Sequence, residues 1–242
     1  MAFPKTCIVI PCYNESERLD FRAINSYLET RPQVHVLFVN DGSTDSTSKV
    51  IIESIAHQKQ CSFLNLEVNQ GKSEAVRQGL NWGWNQGFEW VGFWDADMAT
   101  PLEEIEWLYS FSNLEKQPYI LGSRVARLGS NIERTMFRHY SGRIFATLIS
   151  YGLGWKVHDS QCGAKLMHIS LKELFETPFK TRWLFDVEIL LRIKNKYGIE
   201  GIQLCQEVPI RKWRDVAGSK IGTFDFIKVP YQIWKVFNSY KK

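Results

Sequence analysis

Two acids one residue apart, Asp95 and Asp97, close the apolar and aromatic run from Phe88 to Trp94. Such a run suits a buried strand. Strand side chains alternate between faces, so the two carboxylates share a face if the strand continues. If the chain turns instead, they gather at the strand's carboxyl end, where open α/β sheets bind ligands. Carboxylates this close repel each other unless a cation lies between them. Mg²⁺ and Mn²⁺ favour oxygen ligands, and Mg²⁺ is held by one or two carboxylates together with substrate phosphates. One reading is therefore a divalent ion bridging the protein to a diphosphate. The other is a polar strand-end turn, with an Asp capping a helix at Pro101.

Elements that must position these acids alternate along the chain. Thr6–Pro11, Val34–Val39 and Cys61–Val68 read as short buried strands. Glu15–Thr30, a segment capped by Ser43 or Thr44 and running through His57, and Lys72–Asn85 read as helices. This alternation predicts a parallel sheet wound with helices. Each of the first four strands ends in a polar turn, so Tyr13, Asp41, Lys72 and the two acids should border one crevice. Further on, Pro101–Asn113 reads as a helix and Pro118–Leu121 as a fifth strand ending in Gly122-Ser123-Arg124. Arg134–Tyr151 is a basic, aromatic helix and Asp159–Lys165 a polar loop. Ser170–Phe175 and Leu184–Tyr197 are helices, Ile202–Val208 a strand, and Arg211–Ile221 a basic loop. Phe224–Tyr240 is aromatic and amphipathic.

The chain has 242 residues and a formal net charge of +4. That is too weak to argue for nucleic acid, and it suits phosphate-bearing substrates or an anionic membrane surface. Five cysteines, odd in number and without metal-ligand spacing, point to a reducing, cytoplasmic compartment. The first residues lack a basic-then-apolar signal. No run approaches the roughly 18–20 apolar residues that a spanning helix needs. Neither a dinucleotide fingerprint nor a complete P-loop is present, because Gly71-Lys72-Ser73 lacks the earlier glycine. Dehydrogenase and P-loop kinase chemistry are thereby disfavoured.

Four stretches in order, Ile10–Glu15, Asn40–Asp45, Asn69–Lys72 and Asp95–Asp97, resemble the nucleotide-sugar half of family 2 glycosyltransferases. Gly122–Arg124, Asp159–Lys165, Arg182–Glu188 and Gly218–Lys220 resemble, more narrowly, the polyprenyl-phosphate branch that includes dolichyl-phosphate β-glucosyltransferases. Met98 stands where that branch more often has Gly. The resemblance implies an α/β GT-A fold over residues 1–222, with a nucleotide-sugar half at 5–100, an acceptor half at 101–222 and an amphipathic tail at 223–242. It implies that Pro11, Tyr13 and Glu15 border the donor's base and ribose, and that Asp41 hydrogen-bonds the base. Lys72 is implied as a phosphate ligand, and Asp95 and Asp97 as ligands of Mg²⁺ or Mn²⁺ and ribose. The expected reaction is inverting transfer of a hexose, glucose from UDP-glucose, to a polyprenyl phosphate at the inner membrane face. Rivals are a carbohydrate-hydroxyl acceptor and a non-catalytic nucleotide-sugar-binding protein.

The acceptor decides whether a base is needed. A hydroxyl must lose its proton to a carboxylate within hydrogen-bond reach. A phosphate monoester, with a second pKa of about 6, is already mostly ionised and needs cations to hold it. Arg124, Arg138, Arg143 and Lys220 are the expected phosphate ligands. Asp159 and Asp186 are the candidate bases or supporting acids. Peripheral membrane contact is expected through Ile227, Tyr231, Trp234 and Phe237, or through the Arg134–Tyr151 helix. Val229, Ile233 and Val236 leave open a tail packed as core. Assembly as a homo-oligomer stays open.

Overall fold

The computed structural model describes residues 3–216 and 225–240. Among them, seven strands form one sheet: β1 (Thr6–Cys12), β2 (Val34–Asp41), β3 (Cys61–Leu66), β4 (Trp90–Trp94), β5 (Tyr119–Ser123), β7 (Ala164–His168) and β8 (Cys205–Pro209). Their order is β3-β2-β1-β4-β7-β5-β8. Neighbouring strands from β3 to β4 pair in parallel, as do β5 and β8. β7 runs antiparallel to both β4 and β5. A separate parallel pair joins β6 (Asn131–Glu133) to β9 (Lys212–Arg214).

Apolar side chains alternate along β1, and so they feed two cores. Cys7 and Val9 face a layer built from α3 (Lys72–Asn85), α5 (Met136–Leu153), α6 (Phe185–Tyr197) and α7 (Asp225–Tyr240). Ile8 and Ile10 face α1 (Phe21–Glu29) and α4 (Glu104–Ser110), and α2 (Thr47–Ile55) contributes Ile51 to that side. Helix α3 lies close on the sheet because Gly79 and Gly83 carry no side chain: a Cβ at Gly79 would stand 2.4 Å from Val9 Cγ1. That approach brings the start of α3 to the strand ends.

Several elements depart from expectation. The first helix begins at Phe21, not Glu15. Residues from Asn14 instead form a turn held by side chains of the second strand's loop, and Asn14 itself has φ +51°. The polar loop at Asp159–Lys165 runs directly into β7, which sequence reading did not provide. Within the expected basic loop, Lys212–Arg214 is a strand. The tail is helical as expected, yet Ile233 and Val236 are buried while Tyr231 and Trp234 are exposed. Phe237 turns inward, against Gly152 of α5. The side chain of Ile227 lies outside the described residues.

Candidate active site

Loops after β1 and β2 are stitched together by short polar side chains. Asn14 N–H donates to Ser43 Oγ (3.0 Å), Thr44 N–H to Asn14 Oδ1 (2.8 Å) and Glu15 N–H to Thr47 Oγ1 (2.8 Å). Pro11 and Tyr13 are half-buried on this rim and Glu15 is buried. Asp41 is buried at the end of β2 and braces the next loop: Oδ1 accepts from Gln70 N–H (2.7 Å), and Oδ2 from Gly71 N–H (2.9 Å) and Asn69 Nδ2 (3.1 Å). Both oxygens of the carboxylate expected to read a base therefore also fix the entry to α3.

Lys72 is the first residue of α3, and its ammonium pairs with Asp95 Oδ1 between the rings of Phe93 and Phe185. The Asp95 amide donates to Gly163 O (3.1 Å), and Asp95 O accepts from Met98 N–H (3.2 Å), closing a tight turn. Met98 takes φ +50° in that turn, a conformation that glycine adopts without strain. Asp97 Oδ1 accepts from Ala99 N–H (3.1 Å) and Oδ2 lies 3.5 Å from Arg18 Nη2. Arg18 also reaches Glu15 Oε2 at 3.0 Å, linking the first loop to the acids. A cleft of ≈ 500 Å³ opens beside Asp97, lined in part by Arg18, Met98, Leu102 and Arg214.

These surroundings separate the two acids. Burial pushes the Asp95 carboxyl up, but the charge of Lys72 prevails and holds it below the usual range. Asp97 is raised, by burial first and then by the negative charge of Asp95. Among the described residues, no three acids, histidines or cysteines converge as a complete metal cage. The donor set is two carboxylates, and the repulsion on Asp97 is only partly offset by Arg18, Lys72 and the Ala99 amide. That fits a hard divalent ion completing its shell with diphosphate oxygens.

Across β7 lie the residues expected to serve the acceptor. Asp159 takes a two-pronged grip from Arg124, Nε to Oδ2 at 2.7 Å and Nη2 to Oδ1 at 2.8 Å, and the Arg124 amide adds 2.9 Å to Oδ2. Burial opposes ionisation of Asp159, but Arg124 brings its carboxyl down to about 2. Asp186, in the first turn of α6, is buried with Lys165 Nζ 2.7 Å from its Oδ1. Burial raises its pKa against the pull of Lys165 and Lys72. Arg143 is exposed on α5 and, among the described residues, forms no ion pair with this cluster. Lys220 and the side chain of Arg138 lie outside the described residues.

A wound sheet with acids, a helix-start lysine and paired arginines gathered at its strand ends is the layout of a transferase that handles an activated, phosphate-linked donor. The model of the family described as "Glycosyl transferase family 2" matches residues 7–175, and the chain belongs to that family. Dolichyl-phosphate beta-glucosyltransferase of Saccharomyces cerevisiae is 32% identical over 92% of this chain and 71% of its own. The Homo sapiens protein of the same name is 31% identical, over 90% and 69%. The crystal structure of glucosyl-3-phosphoglycerate synthase from Mycobacterium tuberculosis with Mn²⁺, UDP-glucose and phosphoglyceric acid superposes with a TM-score of 0.68. It covers 98% of this chain and 79% of that one at 17% identity, which establishes the GT-A fold.

Sequence reading did not assign Arg18, Gly163 or Lys165. Arg18 had only its spacing of three from Glu15 as a signal. Gly163 and Lys165 stood inside a motif, without a role.

Proposed function

We propose that this chain transfers glucose from UDP-glucose to a polyprenyl phosphate, with inversion. One observation carries the choice of acceptor: both acids that could deprotonate a hydroxyl are buried in ion pairs. Asp159 is clasped by Arg124, and Asp186 is held by Lys165. A hydroxyl acceptor would find no free base, whereas a phosphate brings its own anionic oxygen. The names of the yeast and human relatives support the same acceptor and sugar.

In this reading a phosphate oxygen attacks the anomeric carbon, the bond to the β-phosphate of UDP breaks, and the diphosphate departs on the opposite side. Asp95 and Asp97 hold Mg²⁺ or Mn²⁺, which when bound neutralises charge developing on the leaving diphosphate. Lys72 exchanges its pairing with Asp95 for the donor phosphates, and the start of α3 adds its dipole. Arg124 offers the acceptor phosphate its Nη1, which the pair with Asp159 does not use. Pro11, Tyr13 and Glu15 border the base and ribose.

A lipid acceptor requires contact with a bilayer. Met136, Tyr140, Ile144, Leu148 and Tyr151 form an exposed stripe on α5. The sequence from Arg134 to Lys156 contains four lysines or arginines and no acid. Tyr231 and Trp234 of α7, exposed and stacked at 6.0 Å, add interfacial aromatics. Among the described residues, no helix is long and apolar enough to cross a membrane. Peripheral docking at the cytoplasmic face through α5 is the corresponding localisation.

The deciding assay offers purified protein UDP-[¹⁴C]glucose with a polyprenyl phosphate or the matching polyprenol, with Mn²⁺, Mg²⁺ or chelator. Labelled lipid should form only with the phosphate and an added ion. Comparable transfer to the alcohol would overturn the phosphate reading. Binding of UDP-glucose without transfer to any acceptor would mark a non-catalytic protein.

A further inference from the structure

Lys165 has no part in the scheme above, yet it is a fully buried lysine within the central sheet. It is the second residue of β7, opposite Phe93 on one side and Leu121 on the other, with 0% of its surface exposed. A buried ammonium persists only if its charge and its donors are satisfied. Here Nζ lies 2.7 Å from Asp186 Oδ1, donates to the Cys162 carbonyl, and stands 5.0 Å from the centre of the Phe93 ring. One side chain thus joins the first turn of α6 to the loop that precedes β7.

That loop touches both halves of the site. Its first residue, Asp159, holds Arg124. Its last, Gly163, accepts the Asp95 amide and presents a bare Cα to the Asp95 carboxylate, so close that a Cβ would stand 1.9 Å from Oδ2. Nothing bulkier than hydrogen separates the acceptor-side loop from the donor-side acid. A loop in this position must be held to a fraction of an ångström, and the Lys165 clamp acts on the residue directly before Gly163.

We propose that Lys165 is a positioning residue: by clamping the Cys162 carbonyl to Asp186, it sets Gly163 as the wall against which Asp95 is aligned, and so couples the donor and acceptor halves. The coupling to catalysis rests on the transfer reading above; the clamp itself does not. A purely structural lysine would be replaceable together with its partner, since removing both members of a buried pair is often neutral for stability.

The test compares Lys165→Met with Lys165→Met/Asp186→Asn by thermal melting, amide hydrogen exchange and glucosyl transfer. The single variant strands a buried carboxylate and should melt lower. The double variant should recover most of that loss. It should nevertheless exchange at least ~10-fold faster at the Asp95 amide and over residues 159–163, and its kcat should stay down by ~100-fold. Wild-type exchange and kcat in the double variant would overturn the proposal. So would a double variant whose faster exchange is spread over the whole sheet, because the clamp would then be ordinary core. Exchange needs no substrate, so it judges the clamp even if wild-type protein transfers nothing, a result that would remove the transfer reading alone.

Discussion

Adding one methyl group at Gly163 should separate catalysis from folding. The backbone there is open to any L-residue, since Gly163 does not fall in the left-handed region. The obstacle is the neighbour. An alanine Cβ would stand 1.9 Å from Asp95 Oδ2 and 2.2 Å from its Cγ, whereas ordinary contact begins at 3.4 Å, so about 1.5 Å must be found. Part of the movement falls on Asp95, whose Oδ1 is paired with Lys72 and whose amide is bonded to Gly163 O. Overpacking of this kind costs about 1–3 kcal/mol, or a Tm lower by about 2–12 °C for a chain of this size. Misplacing a catalytic group by ~1 Å costs ~100-fold in rate. Gly163→Ala should therefore stay folded while kcat falls ~100-fold and more Mn²⁺ is needed for half-maximal rate. Gly83→Ala is the control: its Cβ would meet Val91 Cγ2 at 2.9 Å, overpacking between the far end of α3 and the sheet, away from Asp95 and its loop. It should melt lower with an unchanged Mn²⁺ requirement. A Gly163→Ala enzyme with kcat within about twofold of wild type would refute the placement of Asp95 against this loop.

The Arg124–Asp159 pair makes a pH prediction. The folded carboxyl, at about 2, lies below the ~3.9 of an unfolded Asp, so its stabilisation is full above pH ~4 and is lost as pH falls towards ~2. Melting from pH 5 down to 2.5 should show about 2 kcal/mol of this loss in wild type and a flatter profile in Asp159→Asn. Arg124→Ala, which strips the buried acid of its guanidinium partner, should cost about 3–5 kcal/mol near neutral pH. For the membrane face, wild type should co-sediment with anionic vesicles at low salt, and Ile144→Ser/Tyr151→Ser should release it without a change in Tm. Absence of wild-type binding would remove α5 from the docking surface.

The first four strands were legible because they are apolar and end in polar turns. β1, β2 and β4 are almost wholly buried, and each hands the chain to the crevice at Asn14, Asp41 and Asp95. The later stretch of the chain, from β7 on, hid behind buried charge. Lys165 in β7, and Asp186, Glu188 and Arg192 along α6, are all buried although their residue types signal solvent. Their partners lie outside the helix, seven or more residues away: Glu188 accepts from Lys180 and Thr181 N–H and from the hydroxyl of Tyr240, and Arg192 from α6 reaches the Leu174, Thr177 and Pro178 carbonyls. No local pattern announces such pairings. The late start of α1 was missed for a related reason, since the Asn14 turn is held by Ser43, Thr44 and Asp45 rather than by its own neighbours.

The reversed strand β7 also bears on how the chain comes off the ribosome. β1 to β4 are complete by Trp94, but β4 then shows one unpaired flank, in a segment that is apolar throughout and shielded by no charge. The strand that covers it begins at Ala164, about seventy residues later. At ~5–20 residues per second, a nascent chain exposes that flank for several seconds. An open strand flank of this kind invites pairing with another chain. A truncation placed between Met98 and Ala164 would keep every donor-side motif and still yield an aggregating product, and the two halves would have to be co-expressed rather than mixed to regain the sheet.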